Sequence, residues 1–159
     1  MLATRPMPTA DTIRDVLRDL LGRAVGVDRV SGRKLQGHGL LGEYVTDHGM
    51  MAGACMVDAA FAVRAGAALV LVPAATANSE VENGIISDTY VENVHEIMNV
   101  LSRLLNADDV SHVRLTEVHD LPGALPSPVM NLVNVPTARC DFRVTIAGYG
   151  EGWLAMLLA

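Results

Sequence analysis

Cysteine, lysine and metal-type histidine spacing are all scarce in this chain, and each scarcity excludes something. There are two cysteines, Cys55 and Cys140, with no CxxC and no metal-type spacing. Free thiols in a reducing cytoplasm are the expectation, with no disulfide framework. Lys34 is the single lysine against eleven arginines, and no Lys/Arg cluster occurs, so the basic footprint of a nucleic-acid surface is missing. The balance is acidic, with eighteen Asp and Glu against twelve Lys and Arg, for a net charge of −6. The longest apolar run, Ala65 to Ala75, falls short of the ~20 residues of a membrane helix. No apolar segment follows Arg5, as a signal peptide requires. Among the five histidines no pair stands at i, i+4 and there is no HExxH, so no metal site is expected. Neither nucleic acid nor membrane is an expected partner, and a cytoplasmic protein is.

What is present suits a packed globule: 159 residues, half of them hydrophobic and only 19% charged. That length fits one domain over 1–159, with residues 1–10 as a flexible N-terminus. Asp11 to Val25 reads as a helix, with Ile13, Val16, Leu17, Leu20 and Leu21 on one stripe. Thr9 or Asp11 can cap it, and Gly22 or Gly26 can end it. Short strand material is expected around Arg33 to Gln36. Leu40 to Thr46 and Met51 to Val57 form two strands across the turn Asp47-His48-Gly49.

Asp58 caps an Ala-rich segment, Ala59 to Val72, that Pro73 stops. Its end, Leu69 to Val72, would pass alone for a buried strand, but fusion to the alanines favours a buried helix. Ala74 to Asn83 reads as a small-residue loop. Ile85 to Asn106 has the strongest helical period, with Ile86, Tyr90, Val94, Ile97, Leu101 and Leu105 on its apolar side. Val110 to Val118 alternates as a strand, and a short helix fits Ser127 to Val133 within a proline-rich connection. Thr137 to Ala147 and Gly152 to Leu158 make a last hairpin. The sum is an α+β domain: a mostly antiparallel sheet with a long helix and one or two further helices packed on it.

Asp88, Glu92, Glu96, Asn99 and Arg103 line the polar side of the long helix. Glu92, Glu96 and Asn99 are spaced by four and three, which puts them on one face. A carboxylate holds a cation; a carboxamide both donates and accepts, which suits it to orienting water. A solvated polar side is common to all amphipathic helices, so the stripe alone names no activity. His119 beside Asp120 has the elements of a general base, but no Ser or Cys is placed as its nucleophile, and the histidines read as surface residues. Gly148, Gly150 and Gly152 read as a hairpin turn, since no helix start or Gly-Lys-Ser/Thr follows. Met50, Met51 and Met56 read as strand core, although soft methionine surfaces also serve interfaces.

Glu96-x-x-Asn99, followed after 22 residues by Pro122, resembles the motif of the CheC/CheX/FliY chemotaxis phosphatases. One copy of the motif, and a first helix without it, resemble the CheX branch most. The resemblance implies a phosphatase acting on the aspartyl phosphate of a CheY-like receiver domain. Asn99 would orient the attacking water and Glu96 would bind the receiver's lysine, with Glu92, Arg103 and Pro122 at the partner surface. No cofactor of its own is implied, since Mg2+ belongs to the phosphorylated receiver, and a homodimer is expected. Three positions depart from the family pattern. Glu92 replaces Asp or Ser, Met98 replaces the glycine before the asparagine, and Arg103 replaces a glycine after it. Met98 adds bulk at the helix, and Arg103 is spaced to pair with Asn99 or Glu96. An alternative therefore stands beside the phosphatase: a non-catalytic dimeric interaction module with the same fold, binding a signalling partner.

Overall fold

Alternation along six strands sets up two apolar cores, one on each face of a single sheet, in the computed structural model, which describes residues 4–159. The strands are β1 (Val25–Val30), β2 (Gly39–Thr46), β3 (Met51–Asp58), β4 (Val113–Leu121), β5 (Ala138–Ile146) and β6 (Gly150–Leu158). Their order is β1-β5-β6-β3-β2-β4, and all pairings are antiparallel. Leu40, Tyr44, Cys55, Val57, Phe142, Leu154 and Met156 face the first core. Leu41, Ala54, Met56, Trp153, Ala155 and Leu157 face the second. Covering on both faces is why β3 and the second half of β6 read as unbroken apolar runs rather than as alternation.

Helices α1 (Ala10–Leu21), α2 (Ala59–Leu69), α3 (Ala74–Asn83) and α4 (Asp88–Leu101) contribute to the first core. A 3-10 turn, Ser102–Leu105, extends α4. α5 (Ser127–Asn134) places Val129 and Leu132 on the second face. Local signals set the helix ends. The Thr9 hydroxyl accepts from the Thr12 backbone N–H, and Gly22 closes α1 in the left-handed region at φ 65°. Asp58 Oδ1 accepts from Phe61 N at 2.8 Å and also from Trp153 N at 3.1 Å, so one carboxylate starts α2 and ties it to β6.

The antiparallel α+β fold is as the sequence led one to expect, but several elements differ. There are five α-helices among the described residues, more than the two or three expected. Ala74–Asn83 is a helix, not a loop. Only Ala77 of it is buried, so there is no apolar stripe to see, while alanine's intrinsic preference suffices to favour a helix. The early strand is Val25–Val30 rather than Arg33 to Gln36, and the first helix stops before it. β1 is an edge strand, half exposed, so its pattern is weak. The helix ends at Leu69, and residues 70–72 leave it without forming a strand, with Leu71 at φ 60°. Of the methionines, Met56 is buried, Met51 is partly covered and Met50 is exposed.

The N-terminal segment is docked where flexibility was expected. Arg5 donates from Nη1 to Leu105 O at 2.8 Å and from Nη2 to Ser111 O at 2.9 Å, and Pro8 is buried; residues 1–3 lie outside the described residues. Cys55 and Cys140 are both free and flank Met156 on neighbouring strands. Burial pushes the Cys55 thiol up to about 12. Among the described residues, no helix is long and apolar enough to cross a membrane.

Candidate functional site

α4 is seated by Tyr90, Val94, Ile97, Met98 and Leu101, all buried. Two long-range hydrogen bonds fix its position. Tyr44 OH on β2 donates to Met98 O at 2.7 Å, and Asn93 Nδ2 donates to Gly66 O on α2 at 3.0 Å. With the apolar side held this way, Glu92, His95, Glu96 and Asn99 are exposed on the outer side. Glu96 and Asn99, three residues apart, are neighbours one turn from each other. Among the described residues, the side chains of Glu92, Glu96 and Asn99 have no hydrogen-bond or ion-pair partner in the protein. All three are free to meet another molecule.

The two crowding effects expected of the neighbouring residues do not occur. Met98 is fully buried and points into the core, where a Cβ on Gly42 would lie 2.6 Å from its Sδ. Its bulk is absorbed beneath the helix by the missing side chain at Gly42. Arg103 stands on the 3-10 turn, exposed, and among the described residues forms no ion pair with Glu96 and no hydrogen bond to Asn99. Asn99 is therefore uncovered.

Pro122 lies elsewhere. It follows β4 through a cis peptide and lines a cleft of about 280 Å³ with His38, Gly39, Ile85, Ile86 and Asp120. Ile85 and Ile86 precede the first turn of α4, whereas Asn99 is near its end, roughly 18 Å further along the axis at the α-helical rise. The fold brings Glu92, Glu96 and Asn99 together and leaves Pro122 at the opposite end of the same helix.

On the other face of the sheet are polar residues that sequence reasoning did not connect. His119 is not a surface histidine. Its side chain is 11% exposed, and Nε2 lies 2.8 Å from Glu43 Oε2. Glu117 joins them, with Oε2 at 3.9 Å from the same nitrogen. The alternation Glu117-x-His119 was the visible signal; the partner 76 residues away was not. A cleft of about 470 Å³ between the turn after β1 and the start of α2 holds Arg33, Arg64, Arg143, Asp58 and Trp153. Two of its cations are already paired, Arg33 with Asp58 at 3.1 Å and Arg143 with Asp28 at 3.3 Å.

No family model matches the chain, and no curated protein matches it. Solved structures do. FliY of Thermotoga maritima shares 14% identity over 92% of this chain and 82% of its own, with a TM-score of 0.62. FliM in a FliM–SpeE complex from H. pylori is 10% identical over 94% and 80%, with a TM-score of 0.64. A chain of the CheX–CheY–BeF3–Mg2+ complex from Borrelia burgdorferi is 14% identical over 93% of both, with a TM-score of 0.57. At these identities the likeness speaks to architecture alone: the chain has the CheC/CheX/FliY fold, which the FliM middle domain shares.

Proposed function

We propose that this protein is a CheX-like phosphatase that accelerates hydrolysis of the aspartyl phosphate on a CheY-like receiver domain in the cytoplasm. The observation that carries the reading is the uncovered pair Glu96 and Asn99 on α4, exposed and without partners among the described residues. Docking of α4 on the receiver inserts Asn99, whose carboxamide accepts from a water and turns its lone pair toward phosphorus. The water oxygen forms the new P–O bond as the bond to the aspartyl oxygen breaks. Inorganic phosphate leaves and the receiver's carboxylate is regenerated. Glu96 pairs with a receiver lysine and sets the register. Glu92 and Arg103 contact the partner before and after the pair, and Pro122 shapes the far end of the docking side. Mg2+ comes with the receiver. The protein adds no nucleophile, so its contribution is positioning, which is worth several powers of ten when a reactant is held in attack geometry. The protein works as a homodimer, the commonest symmetry of soluble oligomers.

A second reading has its own support. FliM, matched at a TM-score close to that of FliY, is seen in complexes with SpeE and with FliG. A module of this fold that binds a signalling partner without hydrolysis is the rival. Receivers encoded near this gene, phosphorylated with a small phosphodonor, separate the two. Wild type should speed loss of the phosphoryl group, and Asn99→Ala should cut that acceleration by about 100-fold or more with unchanged circular dichroism. Unassisted decay with wild type on every receiver rejects the phosphatase. Binding without turnover, surviving Asn99→Ala, selects the interaction module.

A further inference from the structure

We propose that Glu43, Glu117 and His119 form a binding site for a divalent transition-metal cation, Zn2+ above others, on the sheet face opposite α4. The three residues are gathered by an irregularity in strand pairing. Glu43 on β2 is in register with Glu117 on β4, yet the next β2 residue, Tyr44, is in register with Leu115. Thr116 is left over, so two β4 residues oppose one on β2, the arrangement of a β-bulge. Leu115 and Val118 therefore both turn to the first core, while Glu117 and His119 share the other face with Glu43.

The distances fit a single ion. His119 Nε2 is 2.8 Å from Glu43 Oε2 and 3.9 Å from Glu117 Oε2, and one donor atom from each residue lies within 4.8 Å of the others. Donors each about 2.0–2.2 Å from a shared zinc stand roughly 3–4 Å apart, so small side-chain rotations suffice. Two of the ligands are already held: the His119 and Glu43 side chains are 11% and 14% exposed. The Thr116 hydroxyl donates to Glu43 Oε1 at 2.9 Å, which commits that oxygen and leaves Oε2 for the ion. Such outer hydrogen bonds are what orient a metal's ligands. Glu117, 64% exposed, leaves one side open to water.

Charge points the same way. Two carboxylates directly opposite on neighbouring strands destabilise the pairing unless neutralised. A divalent ion between them balances both negative charges at once. One imidazole with two carboxylates suits zinc or manganese better than magnesium or calcium, which prefer all-oxygen sets. Because β4 is an edge strand paired only with β2, the ion would also staple the sheet's margin.

The test uses the untagged full chain, stripped with a chelator and titrated with zinc chloride by calorimetry, then with Co2+ while visible absorption is followed. One ion per chain is expected, with d–d bands for Co2+ and a raised melting temperature. His119→Gln and Glu43→Gln should lose more affinity than the roughly 10–100-fold typical for removal of an outer-shell partner, and Thr116→Val should fall within that range. Removing a largely covered partner can unfold the strand edge, so the exposed Glu117→Gln is the control variant: still folded, with weakened zinc binding and altered Co2+ bands. No saturable binding to wild type overturns the proposal. So does zinc binding unchanged in both Glu117→Gln and His119→Gln, which would put the ion on the other histidines.

Discussion

Asp141 is a buried carboxylate held by four hydrogen bonds. Its side chain is 1% exposed, and it accepts from Trp153 Nε1 at 2.9 Å, from Arg139 Nε at 2.8 Å and Nη2 at 3.0 Å, and from the Arg33 backbone N–H at 3.2 Å. Burial pushes the carboxyl up, but the hydrogen bonds from Arg139 and Trp153, the Arg139 charge and the Arg33 amide together hold it below its ordinary value. A depressed carboxylate stabilises the fold above its unfolded pKa, and that contribution is lost as pH falls through the lower folded one. Asp141→Asn should therefore cost about 3 kcal/mol at pH 7, because Arg139 loses its buried anion. The gap to wild type should narrow as pH drops below about 4, where the unfolded chain's Asp141 takes up a proton while the folded one stays ionised. Urea unfolding from pH 7 to pH 3 measures this; a gap that stays constant with pH contradicts it. Little of this was legible beforehand. Arg139 and Asp141 share a strand face by alternation, but Trp153 and Arg33 reach them only through the β5–β6 hairpin and the loop after β1.

At the scale of elements, α2 and β6 approach each other closely. Gly152 lets the helix lie on the strand: a Cβ there would stand 2.4 Å from Phe61 Cα and 2.6 Å from Phe61 N. These are backbone atoms of the first turn of α2, tethered by Asp58, so rotation of a side chain cannot relieve the clash. Gly152→Ala should cost roughly 3 kcal/mol, the upper end for overpacking, read as a lower denaturant midpoint. A loss under half a kcal/mol would mean that α2 slides freely on the sheet. In the sequence Gly152 looked like part of a turn, because close approach leaves no mark on periodicity. Elements with a local signal were readable: α1 from its stripe and Thr9 cap, β2 and β3 from their shared turn, and α4 from its unbroken apolar side. The Glu96 and Asn99 pair was readable for the same reason, since one helix carries both residues. α3 was missed because alanine packs without patterning, and β1 because its partner β5 is more than a hundred residues away. Glu43 and His119 were missed because a bulge resets which residues share a face.

For the molecule as a whole, the sheet separates two candidate sites. Asn99 projects from a helix on the first face, and Glu117 from the second, with no shared side-chain partner among the described residues. Effects at sites without common partners add independently. Asn99→Ala should therefore leave the zinc titration of the full chain unchanged while cutting the acceleration of receiver dephosphorylation by about 100-fold or more. Glu117→Gln should weaken zinc binding and leave dephosphorylation within about twofold of wild type, the scatter of independent sites. Phosphate release and calorimetry on the same three preparations make the comparison. One covalent route between the faces runs through β2, where Glu43 is followed by Tyr44, whose hydroxyl holds Met98 O beside Asn99. A fall in turnover for Glu117→Gln matching its fall in zinc affinity would contradict independence and make that tyrosine the connection. Rigidity favours the separate outcome: Tyr44 is fully buried in a close-packed core and its hydroxyl is bonded at 2.7 Å. An element with a single arrangement cannot be switched by an ion on its far side.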